Sequence, residues 1–189
     1  IKSFFANIGT SNELVPYNNI SDLTKSFDIK KFSTSPTTYM PEELTRLNHK
    51  MVVHMEYKDI LPHLHAIGAE YITEEFWLAV RPNLETVKDV STWWKICHEL
   101  PTVTEILDKN LLKAALELLP EGMIADDTWK NWTSSIAQKT SLKGKELFLP
   151  LRLSLTGMDH GPEMAKLLPL IGRDGVVARL DNMIRHSRA

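Results

Sequence analysis

Few side chains in this sequence are typed and spaced for chemistry. His63 and His65 could pass for a metal pair, but residues two apart on a helix point about 200° from each other, so they cannot share one ion. Cys97 and His98 are adjacent, and nothing marks a nucleophile with its base. Asp126 and Asp127 read as a helix cap, not a catalytic pair. No glycine-rich phosphate loop follows a strand. The polar residues therefore point to binding.

Arg152 is the most informative of them. Phe148, Leu151, Arg152 and Leu155 share one helical face at i, i+3, i+4 and i+7. A guanidinium among Leu and Phe loses hydration and needs strong partners. Two readings stand: a structural partner such as Asp159 or a helix C-terminus, or a recognition arginine for a polar ligand. Next comes the turn 156–162, with Gly157, Gly161 and Pro162, whose backbone groups could read base edges or hold an anion. A plain helix connection would use the same residues. Arg46, Lys50 and His54 fall on one face of a helix opened by Pro41 and could form a phosphate-facing stripe, or only a solvated face.

Positioning these residues falls to helices. Eight glycines in 189 residues, little strand-like alternation and apolar residues at helical spacing predict an all-α chain. Expected elements are a helix end before Gly9, a short helix capped by Ser21, and a loop over 32–39. Helices follow from Pro41, over 58–66, and from Thr73 to Arg81, with short pieces through 84–100. Further on come 110–119, a helix capped by Asp126-Asp127, and 145–156 kinked at Pro150. A helix started by Pro162 and stopped by Gly172, and a last helix bearing Val176, Val177, Leu180 and Ile184, end the chain. Boundaries are expected near 56 and 100.

Composition sets outer bounds. Hydrophobic residues are 43% and charged residues 24%, average for a globular chain that needs no staple to fold. One cysteine excludes an internal disulfide framework and fits a reducing, cytoplasmic setting. No apolar run approaches the roughly 18 residues of a membrane span. The abrupt opening at Ile1, without Met, predicts a chain that begins mid-protein. Net charge is −2, yet residues 139–189 carry nine basic against five acidic residues, which permits an anionic partner there.

The last third resembles the C-terminal signature of bacterial glutamyl-tRNA synthetase. Residues 148–157 (FLPLRLSLTG), Gly161-Pro162 and 167–172 (LLPLIG) are similar to that family's P-L-R-x-A-L-T-G, G-P and I-L-x-L-L-G. Residues 1–9, Phe27-Asp28 with 33–36, 44–48, and Arg81-Pro82 with Thr86-Val87 resemble earlier family motifs in order. The resemblance implies the end of a tRNA stem-contact domain (1–56) and two helical anticodon-binding modules (57–100 and 101–189). It implies no catalytic residue, metal or cofactor in this chain, which alone is expected to be inactive. The intact enzyme would join glutamate to tRNA with ATP and Mg2+. Carried over by position, Arg152 would contact the third anticodon base, and Gly161, Pro162 and Met164 would hold the second. Gly161 stands where some members carry a hydroxyl residue, leaving only backbone to serve. Asn83, after Arg81, stands where members that reject tRNA-Gln carry an arginine for the first base. Arg46 and Lys50 lie in the stem-contact region. Expected partners are tRNA-Glu and, given Asn83, tRNA-Gln as a candidate, with no DNA, no membrane and a monomeric state. The rival reading is a helical protein–protein module anchored by Trp93, Trp94, Trp129 and Trp132.

Overall fold

The computed structural model describes residues 1–17, 19–103 and 107–186. Asn18 and, in the basic tail, Arg188 lie outside them. The chain divides into two compact units, 1–90 and 91–189. The described residues form ten α-helices and two 3-10 turns, with a lone antiparallel bridge between Thr10 and Phe32.

In the first unit, α1 (Lys2–Phe5) and α2 (Ile20–Ser26) are short, and α3 (Pro41–His54), α4 (Tyr57–Ala66) and α5 (Glu74–Val80) carry the packing. Pro41 opens α3 as expected, and the Thr73 hydroxyl accepts from Phe76 N–H at the start of α5. Leu47, Val52, Ile60, Leu64, Phe76, Trp77 and Val80 are buried together. α2 departs from expectation: Asn19, not Ser21, is its cap. Asn19 is extended and its side chain accepts from Asp22 N–H, while Ser21 already lies in the first turn. A 3-10 turn (Arg81–Asn83) ends the α5 segment. Two α3 side chains hold the strand-like exit from it: the Asn48 amide donates to the Glu85 carbonyl at 2.6 Å, and His49 Nδ1 lies 2.7 Å from the Leu84 carbonyl.

One helix, α6 (Asp89–His98), replaces the several pieces expected through 84–100. The Asp89 carboxylate accepts from the backbone N–H groups of Glu85 and Thr86 just ahead of it. The second unit packs α7 (Lys109–Glu117), α8 (Thr128–Thr140), α9 (Lys145–Thr156) and α10 (Met164–His186) around Leu111, Leu112, Trp132, Ile136, Leu151, Leu155, Leu168 and Leu180. The buried Trp132 indole is satisfied by the Ala115 carbonyl at 2.9 Å.

Two expected starts are corrected here. Asp127 does not cap α8 with its side chain, because its backbone is already helical (φ −85°, ψ −11°). Thr128 reaches back instead, its hydroxyl accepting from Ala125 N–H at 2.9 Å, while Asp126 pairs with Lys166 and Asp127 accepts from Asn131. Likewise α10 starts at Met164, two residues after Pro162. The Pro162 carbonyl is taken by Arg152, and Lys166 N–H bonds to the Glu163 carbonyl. Gly172 (φ 71°, ψ 162°) breaks α10 where a helix stop was expected.

Candidate nucleic-acid interface

Four of the expected residues come together in the second unit. Leu151 and Leu155 turn the inner face of α9 into the core with no exposure, which leaves Arg152 half-buried at its edge and Phe148 exposed one turn earlier. Neither expected structural partner holds the arginine. Its Nη2 donates to the Pro162 carbonyl across the 156–162 turn at 3.0 Å. Asp159 acts only at longer range: burial pulls the guanidinium below the usual arginine range, and the Asp159 charge opposes that. Arg152 Nε is buried with no partner in the protein. A cationic donor in that state is costly unless something else completes it.

The turn is built to present this arginine. Gly157 closes α9 in the left-handed region, its N–H bonded to the Leu153 carbonyl. The Thr156 hydroxyl bridges the Arg152 and Met158 carbonyls at 2.8 and 3.1 Å and accepts from Met158 N–H. Pro162 and Met164 are buried, Gly161 is half-buried, and Asp159 and His160 project into solvent.

A cleft of about 370 Å3 opens beside Arg152, walled by Trp129, Phe148, Glu163, Met164 and Ala165. The Trp129 and Phe148 rings tilt 43° across 6.3 Å, and Trp132 supports Trp129 edge-on. An aromatic wall with a guanidinium and a glutamate beside it suits an unstacked heteroaromatic ring. The wall offers a π-face and the polar groups offer edge contacts. The roomier groove of the first unit, about 550 Å3, is lined mainly by Leu44, Leu47, Met51, Ile67 and Val87 and has no guanidinium at its edge. The chemistry therefore assigns the site to the smaller cleft.

The first unit carries the other expected residues. Asn83 is exposed in the 3-10 turn. Arg81 Nη1 donates to the Met55 carbonyl at 2.8 Å, sharing that acceptor with the Trp77 indole, so it closes the end of α3. Arg46 and Lys50 line a smaller hollow with Glu13 and Glu43, and Lys50 Nζ lies 3.5 Å from Glu13. The stripe is thus partly neutralised by its own neighbours.

Several other groups are tied up locally. His65 faces Glu70 at 3.4 Å while His63 lines the larger groove. Burial pushes the Cys97 thiol up to about 12. His98 stacks on Trp94 at 3.8 Å. Trp93 and Trp132, two anchors of the rival protein-binding reading, are 7% and 1% exposed and so belong to the core. In the basic tail, Arg173 donates to the Pro120 carbonyl, and Lys139 and Lys166 pair with Glu117 and Asp126.

Sequence reasoning missed Arg179, which is 3% exposed. Its Nη2 is shared among the carbonyls of Ile96, Cys97 and Glu99 at 2.7–3.0 Å, and Nη1 donates to the Gly175 carbonyl. The C-terminal end of α6 is therefore closed by a buried cation, the charge its exposed carbonyls favour. The available signal was a charge between Val176 and Leu180 on the apolar face, four residues after a glycine. A Cβ at Gly175 would lie 2.8 Å from Arg179 Nη1, so the glycine makes room for the guanidinium.

A family model described as the anticodon binding domain matches residues 57–184, more than half of the chain. The chain belongs to that family. As an anticodon-binding chain it is 51% identical over 181 residues to glutamate–tRNA ligase 1 of Rickettsia felis and equally similar to that of Rickettsia bellii. Those matches take in 95% of this chain, which spans about 40% of the length of the curated relatives. The fold agrees with the glutamate–tRNA ligase structure from Elizabethkingia meningosepticum, at a TM-score of 0.79 and 21% identity, covering 98% of this chain and 40% of that one. The anticodon-binding assignment and the all-α fold read from the sequence both stand. No helix among the described residues is long and apolar enough to cross a membrane.

Proposed function

We propose that this chain is the anticodon-reading part of a glutamate–tRNA ligase, with Arg152 as its base-reading side chain. The observation that carries the proposal is a half-buried guanidinium, braced by the Pro162 carbonyl, at the rim of an aromatic-walled cleft. The similarity to glutamate–tRNA ligases supports the choice of tRNA. In this reading an unstacked base lies against Trp129 and Phe148, and Arg152 donates to its edge in the forked geometry that guanidinium allows. Gly161, Pro162 and Met164 shape the neighbouring subsite by backbone and apolar contact.

The first unit supplies the remaining contacts. Asn83, short and neutral, meets the first anticodon base with an amide that can donate or accept. Arg81 is committed to the Met55 carbonyl and leaves that task to Asn83. A weak contact there would leave discrimination between tRNA-Glu and tRNA-Gln to Arg152 at the third base. Arg46 and Lys50 add phosphate contacts that carry no sequence information. Residues 1–56 would end the stem-contact domain, and 57–100 and 101–189 would be the two anticodon modules.

The whole ligase would act as a monomer in the cytoplasm and attach glutamate with ATP and Mg2+. Among the described residues no three His, Cys, Asp or Glu side chains are placed to hold a metal. The ATP chemistry is assigned outside this chain. Titrating the chain with an anticodon stem–loop RNA reading UUC, beside a control loop reading AAG, tests the proposal. Preference for UUC that is lost in Arg152→Ala supports it, and equal binding of the two loops overturns it.

A further inference from the structure

Gly161 is pressed between two side chains. A Cβ built on it would lie 2.0 Å from Trp93 Cη2, 2.5 Å from Trp93 Cζ2 and 3.1 Å from Arg152 Nη2. No L side chain fits there, and φ of +124° excludes one on backbone grounds as well. The far edge of the Trp93 indole therefore rests directly on the backbone of the turn that holds Arg152. The next carbonyl along, that of Pro162, is the acceptor for Arg152 Nη2.

Trp93 is itself well anchored. It is 7% exposed on α6, whose C-terminal carbonyls are gathered by the buried Arg179. Its buried position keeps it from stacking on a ligand. It can act on one only through what it touches, and it touches the glycine beside the Arg152 acceptor.

We propose that Trp93 is a positioning residue for Arg152. Its indole edge sets the height of the Gly161-Pro162 backbone and thereby the direction in which the guanidinium points into the cleft. The proposal rests on the reading of Arg152 as the base-contacting arginine. The indole edge is a hard stop: interiors are packed densely enough that removing three ring atoms, as Trp93→Phe does, leaves room for the backbone to move. Small misplacements of a group that must meet a planar edge bidentately are costly.

The test is a double-mutant cycle on the 189-residue chain, read as the ratio of affinities for the UUC and AAG stem–loops. Trp93→Phe removes the indole edge while keeping an aromatic ring in the core, and a thermal melt confirms folding. The ratio should fall about tenfold, mid-range for coupled neighbours, while the salt dependence of binding stays unchanged. In an Arg152→Ala background the same change should move the ratio less than about twofold, because its target is gone.

A ratio that Arg152→Ala lowers but Trp93→Phe leaves intact overturns the proposal alone. So does a Trp93→Phe loss that persists undiminished in the Arg152→Ala background, since that marks a general structural effect. An Arg152→Ala chain that keeps its preference undiminished overturns the reading of Arg152 and the proposal with it. Should Trp93→Phe not fold, nuclear Overhauser contacts in the wild type between the Trp93 ring edge and the Gly161 α-protons decide the geometry. Their presence is expected, and their absence overturns the proposal.

Discussion

Arg152 donates from Nη2 to the carbonyl oxygen of Pro162, ten residues on, and its Nε is buried without a protein partner. One guanidinium thus braces a turn beside a cleft while one of its donors stays buried without a protein acceptor. Arg152→Ala should cost about 1–3 kcal/mol of binding to the UUC loop, the worth of a good bidentate contact, and much less to AAG. Arg152→Lys should not restore it, because an ammonium has no fork. Titration of both variants against both loops checks this. Equal losses on the two loops would make Arg152 a phosphate contact or a brace only.

Arg179 should be the most costly single arginine for folding. Arg179→Met keeps the apolar stem but leaves the Ile96, Cys97 and Glu99 carbonyls without their donor. A loss of about 2–4 kcal/mol in a denaturant melt is expected from stranding buried acceptors. A loss below about 0.5 kcal/mol, as for an ordinary surface change, would mean that water replaces the guanidinium.

Arg46 and Lys50 make a separate prediction. Replacing both with Gln should weaken UUC and AAG loops carried on whole tRNA alike and reduce the salt slope by about 1–2, as for two phosphate contacts. Glu13→Gln should act oppositely and strengthen binding slightly, because it frees Lys50 from its pair. An unchanged slope in the double variant would return the stripe to ordinary solvated surface.

Cys97 gives a pH prediction. Its ordinary thiol value of 9.0 is raised to about 12 by burial, partly offset by the Arg179 charge. In the unfolded chain the thiol ionises near 9 and in the folded chain it does not, so the unfolded state binds fewer protons between those values. Stability from this group is complete below about pH 9 and falls as pH rises toward 12. Melting temperatures at about pH 8 and pH 10.5 should diverge more for wild type than for Cys97→Ala. The same burial should leave the native thiol slow toward alkylating reagents at pH 8.

What could be read in advance divides along physical lines. Helix identity was legible because Pro41, Thr73 and Gly172 act on their own backbone within a few residues. The caps misread at Ser21 and Asp127 depend on which residue stays extended, which the chain decides one or two positions away from the obvious candidate. Arg152 was legible as an arginine on an apolar face. Its acceptor was not, since the Pro162 carbonyl becomes a partner only once the turn folds back over α9. Arg179 was missed for a related reason: its acceptors lie about 80 residues away on α6. The pressure of Trp93 on Gly161 has no trace in spacing at all.

The most direct measurement is the affinity of the wild-type chain for three stem–loops that differ only in the anticodon, reading UUC, UUG and AAG. The account predicts tight, salt-sensitive binding of UUC, UUG weaker by about tenfold, the worth of the third-base contact of Arg152, and AAG, changed at all three positions, weaker still. Equal affinity for all three at every salt concentration would contradict it.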